Sequence, residues 1–275
     1  MTSVVVWDIE TIPDLKGFAT AHRLDGKTDD EIREAIGDKF PKHVYHSIVC
    51  IGALVASDQE THWNVDALGA PHVGDRTDKE LITAFVNKIE DLKPQLITFN
   101  GSSFDLPVLR YRAMVNEVAA PGLSARPYFH RYTEDAIDLC DVLASFNSQC
   151  RATLDEICKL MGMPGKPDGL CGGDVETYFR DGRISEIAAY CETDVVNTYR
   201  LWLRHELFRG GLDQLNYEES ELRLRAFLDA RNARAAPPSL SSNEAVGGTN
   251  GPSHGELSLR LKLPSLHLPA GNLRS

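Results

Sequence analysis

Four acidic side chains stand in three separated motifs: Asp8-Ile9-Glu10-Thr11, Phe99-Asn100-Gly101-Ser102-Ser103-Phe104-Asp105 and Tyr190-Cys191-Glu192-Thr193-Asp194. Asp8 and Glu10 follow the apolar run Val4-Val5-Val6-Trp7, hydrophobic on both alternating faces, as in a central strand buried on two sides. Alternation puts Asp8 and Glu10 on the face shared with Val4 and Val6, and the motif holds no Lys or Arg. Two carboxylates about 4 Å apart repel by roughly 4 kcal/mol at an effective dielectric near 20, so a cation between them is the expected partner. A strand end running into solvent also tolerates such acids, and on these two residues alone the readings weigh equally.

The elements that position these groups follow from periodicity. Ser47 to Ser57 and Glu60 to Val65 alternate around a polar turn at Asp58-Gln59, which predicts a hairpin beside the first strand. A capping box at Thr77-Asp78-Lys79-Glu80 opens a helix to about Leu92, stopped by Pro94. Gln95 to Phe99 reads as a strand ending at Asn100-Gly101, where glycine permits a sharp turn, and a helix begins near Phe104. Asp105 therefore falls at a helix N-terminus. Ala136 to Leu139 predicts another strand, followed by a helical turn through Asp141, and Thr153-Leu154-Asp155-Glu156 caps a helix that Gly162 and Pro164 end. From Ile184 to about Phe208, Ile187, Tyr190, Cys191, Asp194, Val195 and Thr198 share one side of a long helix. A last helix is expected from Leu212 to about Arg231, and a polar insertion over residues 14–46 carries one helix from the capping box at Thr28.

With 275 residues and 42% hydrophobic content, the chain can bury a large core. A net charge of −11 argues against broad adhesion to nucleic acid, although a cation-holding site adds acids that its ions later offset. Cys50, Cys140, Cys150, Cys158, Cys171 and Cys191 show neither zinc nor disulfide spacing and read as buried free thiols of a reducing compartment. No apolar run is long enough to span a membrane and no signal sequence opens the chain, so a cytoplasmic location is expected. The organisation expected is one domain over residues 1–230 and a Ser-, Gly- and Pro-rich, weakly basic tail over 231–275 that stays disordered.

Taken together, DxE on the first strand, NGxxFD after a later strand and YxxxD on a late helix resemble the DEDD exonucleases. More narrowly, they resemble the predicted 3′-5′ exonucleases related to the proofreading domain of family-B DNA polymerases. Ile137-Asp138-Leu139-Cys140-Asp141-Val142-Leu143 resembles a segment of that family too. The resemblance covers roughly residues 3 to 205 and implies an α/β, ribonuclease-H-like fold with a mixed central sheet flanked by helices. Relatives that use histidine place it five residues before the last aspartate, and those that use tyrosine four; here Ala189 and Tyr190 occupy these places, as in the tyrosine subclass.

The resemblance implies two divalent cations, Mg2+ or Mn2+, held by Asp8, Glu10, Asp105 and Asp194, with Asp8 bridging both, and a water oriented by Tyr190. It further implies nucleic-acid 3′ ends as substrate, single strands and DNA favoured and RNA possible, with nucleoside 5′-monophosphate as product. Thr11, Asn100 and Phe104 are candidate substrate contacts, Phe104 by stacking on a base, and each has an ordinary structural explanation as strand end, turn or core residue. Asp138 and Asp141 either support the metal shell or cap a helix. Two other readings are a nuclease-like module that binds without cleaving and a HAD-type phosphatase. The second fits poorly, since Glu10 replaces the expected aspartate and Tyr178 stands where a further acid belongs.

Overall fold

The computed structural model describes residues 2–37, 39–165 and 172–235. At its centre lies β1 (Ser3–Pro13), paired antiparallel with β2 (His46–Asp58), which pairs antiparallel with β3 (Trp63–Gly69). On the other side of β1, β4 (Gln95–Thr98) and β5 (Ala136–Asp138) run parallel to it, giving the order β3-β2-β1-β4-β5. Antiparallel neighbours need only a turn, whereas parallel strands need crossovers, which α3 (Asp78–Leu92) and α4 (Asp105–Val115) supply.

The two faces of β1 have different partners. Val5, Trp7 and Ile9 pack with Leu81, Ile82 and Phe85 of α3 and Leu106 and Leu109 of α4. Val4 and Val6 pack with Val195, Tyr199 and Trp202 of α8 (Ile184–Arg209), beside which Leu224 and Leu228 of α9 (Gln214–Ala235) complete the layer. The run that reads as a strand buried on both sides is one: Val4 to Trp7 are at most 1% exposed. This is the mixed, helix-flanked α/β sheet that the sequence implies.

Several boundaries differ from expectation. β3 starts at Trp63 rather than Glu60, because the Asp58 carboxylate accepts the Glu60 N–H at 2.8 Å and Glu60 turns left-handed at φ 71°. The insertion carries two helices rather than one, α1 (Leu15–His22) and α2 (Asp29–Ile36), followed by a 3-10 turn at His43–Tyr45. Asp14 starts α1 by accepting the Gly17 N–H at 2.8 Å. Arg112 of α4, buried in the core, donates to Asp14 at 2.7 Å and to Asp78 at 2.9 Å, so the insertion is anchored at its root.

The helical turn after β5 is α5 (Leu139–Leu143), and the Thr153 capping box opens α6 (Leu154–Leu160) as predicted. A short helix, α7 (Val175–Arg180), was not legible. The last helix starts after Asp213, which accepts the Asn216 N–H at 2.8 Å, and it runs through Ala235, past the expected start of the tail. The remainder of that tail and Cys171 lie outside the described residues. Cys50, Cys140, Cys158 and Cys191 are buried free thiols as expected, but Cys150 is exposed at the end of a surface 3-10 turn. Among the described residues no helix is long and apolar enough to cross a membrane.

Candidate active site

Asp8 pairs across the sheet with Gly52, and a Cβ at that glycine would lie 2.7 Å from Cys191 Sγ. The glycine thus lets α8 settle directly on the sheet beside the first motif. Cys191 Sγ consequently lies 3.8 Å from Asp8 Oδ2 and 3.7 Å from the Asp8 carbonyl oxygen. Among the described residues, Asp8, Glu10 and Cys191 offer ligand atoms all within 4.8 Å of one another. Tyr190 and Asp194, one helical turn apart, are both buried on the same side of α8. A cavity of about 620 Å³ is lined by all the sequence-predicted residues: Asp8, Glu10, Thr11, Asn100, Phe104, Asp105, Tyr190 and Asp194. Asp105 and Asp194 line this cavity without belonging to the tight three-residue cluster.

The loop between β4 and α4 is held by Asp138, at the end of β5. Its Oδ1 accepts the Asn100 N–H at 2.7 Å, and its Oδ2 accepts the Ser102 N–H at 2.9 Å and hydroxyl at 2.6 Å. Oδ1 also accepts the Cys140 N–H at 3.1 Å, so one carboxylate caps α5 and shapes the turn. The left-handed residue of this turn is Asn100, at φ 71°. Glycine is needed at 101 for space, since a Cβ there would meet Thr98 at 2.5 Å. The turn delivers Asp105 to the N-terminus of α4, 3% exposed, where burial and then the charge of Asp138 push its carboxyl up to about 7 against the opposing backbone N–H groups of Ile9 and Asp105.

Burial, then the carboxylates of Asp194, Glu10 and Asp8, raise the Tyr190 phenol far above its ordinary range, so it keeps its proton. The Cys191 thiol is likewise raised, by a hydrogen bond with Cys50, burial and the charges of Asp8 and Glu10. The carboxylates that line the cavity supply hard oxygen donors, a set that suits a divalent cation.

The model of a family described as "predicted 3′-5′ exonuclease related to the exonuclease domain of PolB" matches residues 38–239, more than half of the chain. The chain belongs to this family. The matched span contains Asn100, Asp105, Tyr190 and Asp194, while Asp8 and Glu10 precede it. Among solved structures, the family-B DNA polymerase of the archaeon Pyrobaculum calidifontis is similar at 18% identity and a TM-score of 0.50, over 76% of this chain and 25% of the polymerase. Escherichia coli exonuclease I in complex with a dT13 oligonucleotide aligns at 15% identity and a TM-score of 0.34, over 76% of this chain and 45% of the enzyme. The chain thus spans a quarter of the one and under half of the other. No curated protein matches it. The fold is that of a 3′-5′ exonuclease-like domain.

Residues that sequence reasoning passed over shape this cavity. Arg151 reaches Asn100 Oδ1 at 3.1 Å and Ser103 Oγ at 3.2 Å and also pairs with Asp141, while Arg131 donates to Asp141 at 2.7 and 2.9 Å. Asp141 is thereby assigned to holding two arginines behind the Asn100 turn. His46 faces the Thr11 hydroxyl, 2.9 Å from its Nδ1, and its Nε2 lies 3.2 Å from the Pro41 carbonyl oxygen. Burial pushes its pKa down, so the ring is neutral. Phe104 packs edge-on to His46, with ring centroids 5.1 Å apart, and contacts Phe40 at 5.5 Å. None of these partners could be found by spacing, because each comes from another element. The only signal was the Asp138-to-Asp141 segment itself.

Proposed function

We propose that this chain shortens nucleic acid from its 3′ end, with single-stranded DNA favoured and RNA possible. The water oxygen bonds to phosphorus, the bond from phosphorus to the 3′ oxygen breaks, and the proton ends on that oxygen, releasing a nucleoside 5′-monophosphate. The observation that carries this reading is the arrival of Asp8 and Glu10 from β1, Asp105 from α4 and Tyr190 and Asp194 from α8 at one cavity. Asp8, Glu10, Asp105 and Asp194 would hold two divalent cations, Mg2+ or Mn2+, which when bound supply Lewis-acid stabilisation of the attacking and leaving oxygens.

Tyr190 keeps its proton and therefore orients the water by a hydrogen bond rather than removing its proton. The Thr11 hydroxyl, held by His46, keeps acceptor capacity for the terminal nucleotide. Asn100, fixed by Arg151, and Phe104 bound the space for the terminal nucleotide. The exonuclease domain, expected over residues 1–230, takes in the whole of α9. The test incubates 5′-labelled single-stranded DNA and RNA with the protein and its Asp8→Ala variant, with and without Mg2+ or Mn2+. A metal-dependent ladder shortened from the 3′ end and absent in the variant is expected. Bound but intact substrate in both proteins would mean a binding module instead.

A further inference from the structure

Two cavities meet at the carboxylates. The first, of about 620 Å³, and a second, of about 400 Å³ lined by Arg151, Thr153, Leu154 and Thr198, share Asp8, Phe99, Asn100 and Asp194. A phosphodiester seated at the shared residues has one nucleoside on each side, and each volume lies in the range of roughly 300–1,000 Å³ that small-molecule sites occupy.

The first cavity is walled by residues of the insertion, which no catalytic motif explains. Arg33 of α2 donates to Glu176 of α7 at 2.7 Å, and both line it, so an ion pair ties two of its walls together. Phe40 lines the same cavity and is 73% exposed. Its ring contacts His46 at 5.0 Å and Phe104 at 5.5 Å. His46 is 3% exposed and itself held by Thr11 and Pro41, so the aromatic group has a fixed base and one open member. An isolated exposed aromatic needs no explanation. This one stands in the cavity of the carboxylates, beside Lys39, whose positive charge suits a nearby phosphate.

Resting on the exonuclease reading above, we infer that Phe40 is a substrate-binding residue: its open ring stacks on the base of the 3′-terminal nucleotide, which occupies the cavity bounded by the Arg33–Glu176 pair. Stacking tolerates every base, so Phe40 contributes affinity without sequence preference. The chain leading to the terminus leaves through the second cavity, past Arg151. The insertion is then the wall that receives the terminal nucleotide.

The test measures binding of a short 5′-fluorescein oligodeoxynucleotide by anisotropy, with Ca2+ in place of Mg2+ to hold turnover back, against a second oligonucleotide whose 3′-terminal nucleotide lacks its base. Phe40→Ala should weaken binding of the intact strand by about 5- to 150-fold, and Phe40→Trp should retain it. The abasic strand should bind the native protein with a similar loss and lose little more on Phe40→Ala, a coupling that a purely structural role would not produce. Equal binding by the native protein and Phe40→Ala, or independent losses from the two changes, overturns the inference, as does a native protein that binds neither strand. Coupled binding losses in a protein that never cleaves would sink the exonuclease reading and leave this one standing.

Discussion

Asp105 and Asp141 are both buried aspartates beside Asp138, yet their carboxyls shift in opposite directions. The first is raised to about 7 by burial and the Asp138 charge, and the second is lowered to about 2, chiefly by the Arg131 guanidinium and then Arg151 against the effect of burial. Asp141 finds its counter-charge inside the chain, and its work is to hold a turn. For Asp105, the groups that act in favour of the charge are backbone N–H groups only, so its ionised form gains most from a cation brought from outside. On the proposed reading, the source of the compensating charge, rather than burial alone, separates a ligand from a strut.

The strongest way to break this contrast is Asp105→Asn. The substitution keeps shape and removes the charge, so hydrolysis should fall on the order of 10³-fold, a loss of the size seen when one preorganised electrostatic group is removed. Because the folded state disfavours the Asp105 anion, thermal unfolding without metal should show equal or higher stability at pH 8. A marked loss of stability would place Asp105 with Asp141 as a structural residue.

Tyr190→Phe comes next and leaves all four carboxylates in place. The expected fall in rate is about 10²-fold with metal affinity nearly unchanged, read by single-turnover kinetics and calorimetric titration of Mn2+. An unaltered rate removes the phenol from the mechanism.

Asp141→Asn tests the other side. With Arg131 and Arg151 deprived of their carboxylate, denaturant titration should show a loss of about 2 kcal/mol, below the range for fully buried pairs because Arg131 and Arg151 are partly exposed. Its effect on rate should be secondary, transmitted through Asn100. The smallest expected effect is in the pH dependence. The folded Asp141 carboxyl sits below its ordinary value of 3.8, so its contribution is complete above about pH 4 and is lost as pH falls toward about 2. The stability difference between native and Asp141→Asn proteins should close over that interval, and a difference persisting at pH 2 would contradict the assignment.

Much of this was legible because short-range rules decide it. The Thr28, Thr77 and Thr153 capping boxes all form as read, since each satisfies helix-end N–H groups within four residues of chain. The alternation in β1 and the one-sided stripe of α8 likewise follow from local geometry. The Glu60 turn and α1 were misread because their deciding partners are carboxylates, Asp58 and Asp14, whose side chains had to be seen taking a particular N–H. The turn at Gly101 was legible but the reason for its glycine was not, because a positive φ and a lack of space look alike in sequence.

By itself the sequence determined the strands, the main helices, the family and the set of residues that line one cavity, because periodicity, capping and motif order are properties of neighbouring residues. Tertiary structure alone decided that Asp141 is neutralised by two arginines, that Asp138 shapes the Asn100 turn, that Gly52 admits Cys191 beside Asp8, and that the insertion brings Phe40 to the carboxylates. These outcomes depend on distances between groups far apart in the chain, and charge compensation and close packing act through distance rather than sequence separation.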